Sequence, residues 1–199
     1  MNHSSMHFGS ISTSEIELKD LLKAWIAISL AFAIAIDGFS FSSKFYLNFI
    51  IASLTVGTGF LLHELGHKIV AQKYNCFAEF RSFDNMLLLA IAMSFLGFIF
   101  AAPGAVMISG KINLRKNGII SIAGPIVNLV LASGFYIMLL FNPEGVLGKM
   151  GSFGFSVNSW LALFNMIPFG LFDGYKIFRW DKRAYFAVVT IAAVFVFLL

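Results

Sequence analysis

The sequence predicts an all-α polytopic membrane protein with about five to six transmembrane helices and a re-entrant or interfacial hairpin near residues 86–117. Three observations carry that expectation. Apolar residues fill 59% of the 199 positions and charged residues only 12%, about half the charged share of a soluble domain. The mean hydropathy is +0.85. The apolar residues also gather into runs separated by short polar stretches. This composition excludes a soluble globular enzyme, a disordered chain and a disulfide scaffold. The single cysteine, Cys76, can form neither an intrachain disulfide nor a Cys-rich metal site. The net charge of +4 calls for no nucleic acid, because basic residues between spans follow from orientation in a bilayer.

Residues 1–20 form a polar N-terminal segment, and 21–199 read as a single transmembrane domain. The apolar runs cover 21–36, 47–72, 86–102, 118–141, 152–169 and 184–199. A span needs about 20 apolar residues. Runs 47–72 and 118–141 meet that length, whereas 21–36, 86–102 and 184–199 are short. The first run reads as a retained span. A signal peptide is not preceded by a polar leader containing Glu15, Glu17 and Asp20. Trp25, Trp160 and Trp180 lie near run ends, where aromatic rings anchor at membrane interfaces.

His63-Glu64-Leu65-Gly66-His67 matches H-E-x-x-H within an otherwise apolar segment. On a helix the two histidines are i and i+4, so both imidazoles share one face and can bind one Zn²⁺. Glu64, one position on, is directed at a water rather than at the metal, whose proton it can take. Three ionisable groups within five residues of a membrane helix are costly unless they pair, bind or work. A chance match is rare, at roughly 0.002 per chain of this composition. Hydrogen-bonded structural satisfaction is the plainer alternative.

A zinc site needs a third protein ligand. Downstream Glu79 and Glu144 lie in no convincing helical context. Asp173 is the better candidate, in Asn165-Met-Ile-Pro168-Phe-Gly170-Leu-Phe-Asp173-Gly174. Pro168 and Gly170 interrupt a membrane helix there, and such a break is tolerated where it lines protein or a watery cavity. Taken alone, Asp173-Gly174 would be an ordinary turn. Gly124-Pro125-Ile-Val-Asn128 opens the fourth run, with Gly124 permitting close packing and Asn128 a polar group able to bond a neighbouring helix.

With these three motifs in this order, the chain resembles the site-2 protease family of intramembrane zinc metalloproteases (peptidase family M50) over roughly residues 47–180. The resemblance implies that His63, His67 and Asp173 hold one zinc ion per chain and that Glu64 is the general acid/base. It places Asn128 and Asn165 near the catalytic centre as polar supports. It further implies an intramembrane zinc endopeptidase that cleaves within or near the transmembrane segment of a membrane-protein substrate, as in regulated intramembrane proteolysis. Partners would be that substrate and the lipid bilayer. The extra run at 86–102 is similar to an insertion found mostly in archaeal members. The expected setting is therefore a multi-pass protein of a prokaryotic, archaeal plasma membrane.

Topology narrows the reading of that insertion. If 86–102 spans fully, Asp173 arrives on the side opposite the histidines. If 86–117 enters and leaves on one side, Asp173 arrives beside them. The hairpin also leaves only Lys44 and Lys149 on one side and every other Lys and Arg on the other, the asymmetry that marks a cytoplasmic face. Five full spans plus a hairpin follow, with the N-terminus cytoplasmic and the zinc nearer that face. Two other functions compete. An ion or proton transporter would use the buried His, Glu and Asp as a path, but no repeated broken-helix pattern is present. A catalytically silent membrane chaperone would not need Glu64. Serine chemistry is disfavoured, because His3 and His7 in the polar leader are the only other histidines.

Overall fold

The computed structural model describes residues 5–8, 11–99 and 102–197. They form two compact units, one from residues up to 61 with 79–107, the other from 62–78 with 108–199. His3 lies outside the described residues. His7 lies on strand β1 (Ser5–Phe8), which pairs antiparallel with β2 (Ile11–Ser14) and sets position 7 opposite Ser12.

In the first unit, Ser14 caps α1 (Glu15–Asp37), its hydroxyl accepting from the Glu17 N–H at 3.2 Å. The Ser14-x-x-Glu17 spacing is that of a capping box, yet the Glu17 carboxylate is used elsewhere. It accepts from the Phe80 N–H at 2.9 Å and the Thr13 hydroxyl at 2.7 Å, which ties the start of α1 to strand β3 (Phe77–Ser82). Strand β3 pairs with β4 (Gly104–Ser109). Gly104 is required there, since a Cβ would stand 2.4 Å from the Phe80 ring and 2.5 Å from the Arg81 carbonyl. Between the strands lies α4 (Asp84–Ser94). Ala24, Ala27, Phe80 and Leu87 form the core around them, with Phe60 and Val106 packed against it.

Helix α2 (Ser43–Ala52) runs through a π-helical turn, Ser53–Gly57, into α3 (Thr58–Lys73). In the wide turn the Ser53 carbonyl accepts the Thr58 N–H and also bonds from Trp25 Nε1 at 3.0 Å and the Thr58 hydroxyl at 2.9 Å. A Cβ at Gly57 would meet Ser29 Oγ at 2.6 Å and Trp25 at 2.9 Å. The turn is therefore held by α1.

The second unit is helical. It contains α5 (Leu114–Phe141), α6 (Gly145–Asn165), α7 (Asp173–Trp180) and α8 (Lys182–Phe197). Leu129, Ala162, Met166, Ile177, Tyr185, Val188 and Ala192 form its core. Small residues bring the helices close. A Cβ at Gly154 would strike the Phe135 ring at 2.5 Å, and one at Gly118 would strike Trp180 at 2.3 Å.

The five to six expected transmembrane helices are corrected by these elements. Among the described residues, two helices are long and apolar enough to cross a membrane, Ser43–Lys73 with 31 residues and Leu114–Phe141 with 28. These contain the two longest apolar runs. The others fall short for identifiable reasons. Helix α1 carries Glu15, Glu17, Lys19, Asp20 and Lys23 in its opening turns and Asp37 at its end. Helix α6 dilutes its apolar residues with Gly145, Gly148, Lys149, Gly151, Gly154 and Asn158. Helix α4 has 11 residues, a length of about 16 Å against a hydrocarbon core of about 30 Å. Helix α8 has 16, about 24 Å. The 86–117 insertion is likewise no hairpin of membrane helix. It is α4 followed by a strand whose backbone groups are taken up by β3, so the chain is not all-α.

Candidate metal centre

Helix α3 carries His63, Glu64 and His67, all buried. The i, i+4 spacing turns both imidazoles toward α5, and His63 Nε2 and His67 Nε2 stand 3.0 Å apart. The backbone of α5 can lie against them because position 124 is glycine. A Cβ there would sit 2.5 Å from each Nε2. Gly66 does the same from the other side, where a Cβ would meet Val127 at 3.1 Å. The two glycines let α3 and α5 approach closely at the level of the histidines.

The third member arrives from the end of α6. Past Leu163 the helix tightens, with Met166 N–H donating to Leu163 O and Ile167 N–H to Phe164 O. Pro168 and the left-handed Gly170 (φ 66°) then turn the chain, and α7 begins at Asp173. Gly174 lets that start lie on the end of α6, since a Cβ would stand 2.2 Å from the Met166 carbonyl oxygen. Asp173 Oδ2 is thereby placed 3.0 Å from His67 Nε2 and 3.4 Å from His63 Nε2. Its other oxygen, Oδ1, accepts from Lys176 Nζ at 3.3 Å.

Hydrogen bonds behind the imidazoles set their protons. His67 Nδ1–H donates to the Ile120 carbonyl at 2.8 Å, and His63 Nδ1–H donates to Asn128 Oδ1 at 2.6 Å. Both Nε2 atoms therefore present lone pairs. Asp173 Oδ2 adds a carboxylate oxygen beside them. Three electron-rich atoms thus converge. A proton can join only two of them, whereas a metal ion satisfies all three. Their separations of 3.0, 3.0 and 3.4 Å suit zinc, because a four-coordinate ion with bonds of about 2.0–2.1 Å holds neighbouring ligand atoms about 3.3 Å apart.

His63, His67 and Asp173 are thus brought together as one group able to hold a metal ion, with Asn128 bonded directly to it. Asn165 is the last residue of α6. Its amide donates to the Leu161 carbonyl one turn back on α6, at 2.9 Å. Two residues that the sequence reading did not single out also matter. Lys176 touches the outer oxygen of Asp173, and Asn158, fully buried on α6, accepts from Asn128 Nδ2 at 2.9 Å. The signal that could have found Asn158 is the one that found Asn128, a carboxamide inside an apolar run.

An H-E-x-x-H helix whose histidines meet a downstream carboxylate defines a zinc hydrolase type of site. Comparison with known proteins narrows the class. The chain is 42% identical over 171 residues, 84% of its length and 86% of the relative's, to a protein of Methanocaldococcus jannaschii named "Putative zinc metalloprotease MJ0611". It is 30% identical over 148 residues, 62% of its length and 65% of the relative's, to "Putative zinc metalloprotease YwhC" of Bacillus subtilis. The chain belongs to this zinc metalloprotease family, and its cofactor is zinc. No family model matches the sequence, and no solved structure matches it.

Proposed function

We propose that this protein is an intramembrane zinc endopeptidase of the site-2 protease kind, cutting a peptide bond within or near the transmembrane segment of a membrane-protein substrate. The observation that carries this reading is the position of the site. The histidines lie on a continuous helix, Ser43–Lys73, that is long and apolar enough to cross a membrane. His63 is 20 residues from its start and 10 from its end, about 30 Å and 15 Å along the axis. Ionisable groups at that depth of a membrane helix are kept where they pair, bind or work. A prokaryotic membrane is the setting in keeping with relatives from an archaeon and a bacterium.

In this reading His63, His67 and Asp173 hold the zinc. When bound, the ion supplies Lewis acidity toward the scissile carbonyl and makes water a stronger acid. Glu64 takes the proton of the attacking water and returns it to the leaving amine. As a neighbour of His63 on α3 it belongs to the site without being one of the three converging ligands. Asn128 acts from behind His63, on the ring's Nδ1 side. A helical substrate must be unwound before its carbonyl can be attacked, because its own backbone hydrogen bonds cover the scissile bond. Helix-breaking residues near the cut should therefore speed cleavage.

The test is reconstitution of wild type and Glu64→Gln in lipid vesicles with a set of tagged single-span substrates, with soluble casein alongside. Cleavage of at least one spanning substrate, abolished by Glu64→Gln and by a zinc chelator, is the expected result. Hydrolysis of casein with every spanning substrate left whole would overturn the intramembrane reading while leaving the metalloprotease in place.

A further inference from the structure

His63 can offer Nε2 to a metal only while its proton sits on Nδ1. A chain of buried groups in the second unit decides where that proton sits. The Gly154 carbonyl can only accept, and Asn158 Nδ2 donates to it at 2.9 Å. That bond fixes the orientation of the Asn158 amide and turns its Oδ1 toward α5. Asn128 Nδ2 donates to this oxygen at 2.9 Å, which fixes Asn128 in turn and aims its own Oδ1 at the imidazole. An oxygen 2.6 Å from His63 Nδ1 requires that nitrogen to be the donor. The direction of the whole chain is thus set at one end by a backbone carbonyl, which cannot be reversed, and passed through two amides to the ring.

We propose that Asn158 is a positioning residue for the metal centre, holding His63 in its Nδ1–H tautomer through Asn128. The proposal rests on the reading of His63, His67 and Asp173 as the metal ligands. Asn128 and Asn158 are both fully buried, so bulk water cannot stand in for a lost partner, and a partly satisfied polar chain is costly. Without Asn158, the Asn128 amide is able to turn over and present Nδ2 to His63. Nδ1 would then have to accept, and the proton would move to Nε2, where it blocks the lone pair the metal needs. A buried asparagine that merely joined α5 to α6 would have no such consequence.

The experiment measures Zn²⁺ affinity of the purified full chain by competition with a chromophoric chelator, and the visible absorption of the Co²⁺-substituted protein. Thermal unfolding is recorded for every variant. Asn158→Leu is expected to weaken zinc by about tenfold, the low end for partners standing behind metal-bound histidines, and to alter the cobalt bands. Asn128→Asp supplies an acceptor to His63 whichever way its carboxylate turns, so it should hold zinc without help from α6. Adding Asn158→Leu to Asn128→Asp should then cost no further affinity. A packing role for Asn158 predicts the same loss in both backgrounds, and that result would overturn the proposal, as would wild-type affinity in Asn158→Leu. Asn158→Ala answers the same question if the leucine variant does not fold. Failure of wild type to take up zinc after reconstitution would instead remove the metal reading on which the inference stands.

Discussion

The Lys176 ammonium stands 3.3 Å from Asp173 Oδ1, while Oδ2 of the same carboxylate faces His67 Nε2 at 3.0 Å. The two oxygens are thus divided between a lysine one turn along α7 and the paired imidazoles. This division leaves a single oxygen for the metal. Lys176→Met frees Oδ1 and lets the carboxylate rotate. Zinc affinity should fall by up to about tenfold, because Lys176 is more than a third exposed and water compensates in part. Lys176→Arg should retain wild-type affinity. Chelator competition measures both, and equal affinity in wild type and Lys176→Met would show that the pair is incidental.

Removing a ligand and removing the base should separate binding from chemistry. Asp173→Ala takes away one of three converging atoms, and the purified protein should contain little zinc. Glu64→Gln keeps all three and should carry about one zinc per chain while losing proteolysis. Metal analysis of the two proteins beside wild type is sufficient. A zinc-free Glu64→Gln protein would show that Glu64 belongs to the ligand set.

Glycines 124 and 134 lie on the same helix and predict opposite outcomes. An added methyl at Gly124 would stand 2.5 Å from both Nε2 atoms, whose rings are held by hydrogen bonds and cannot swing aside. Gly124→Ala should lose zinc and cost about 1–3 kcal/mol, the usual penalty for overpacking. Nothing lies within 4 Å of a Cβ at Gly134. Gly134→Ala should be neutral, or more stable by about 0.5–1 kcal/mol through the helix preference of alanine. Unfolding curves and zinc content of the two variants check the contrast.

A pH effect is expected in the first unit. The Lys23 ammonium hydrogen-bonded to Asp84 at 2.7 Å, helped by the Ser82 hydroxyl, holds the Asp84 carboxyl below its ordinary value. A carboxylate whose folded pKa is depressed adds stability above its unfolded pKa of about 3.9 and loses it as the pH falls through the lower folded value. Asp84 is exposed, so the effect is small and fades in salt. The melting temperature of wild type should exceed that of Asp84→Asn at pH 7 and low ionic strength. The two should converge at acid pH and in 1 M salt. A gap that persists at acid pH would assign the difference to something other than the ion pair.

The legible part of the site was the local part. His63 and His67 are four residues apart, and helix geometry alone puts them on one face. The break at Pro168 and Gly170 marked Asp173, because a helix interrupted beside an acidic residue in an apolar chain needs a reason. Asn165, in the same stretch, carried the same kind of signal, and its Nδ2 donates to the Leu161 carbonyl of its own helix. Spacing reports which residues can face a site, but not which bond a carboxamide prefers once the helix is packed.

The span count shows the same limit. Hydropathy runs locate apolar residues, and the two longest became the two long helices. A run does not reveal that Glu17 will be spent on the Phe80 N–H, or that the segment after α4 will find β3 as a partner. Such long-range pairings decide whether an apolar segment continues as helix or turns back as strand. By itself the sequence determined the H-E-x-x-H helix, the interruption that delivers Asp173, and the apolar character of the chain, since each is a property of neighbours along the backbone. Only the tertiary structure decided the close approach at Gly124, the division of the Asp173 oxygens between metal side and Lys176, and the one-way hydrogen-bond chain from Gly154 to His63. Those depend on distances between helices, and in a buried, water-poor interior each polar atom must take the partner that packing leaves within reach.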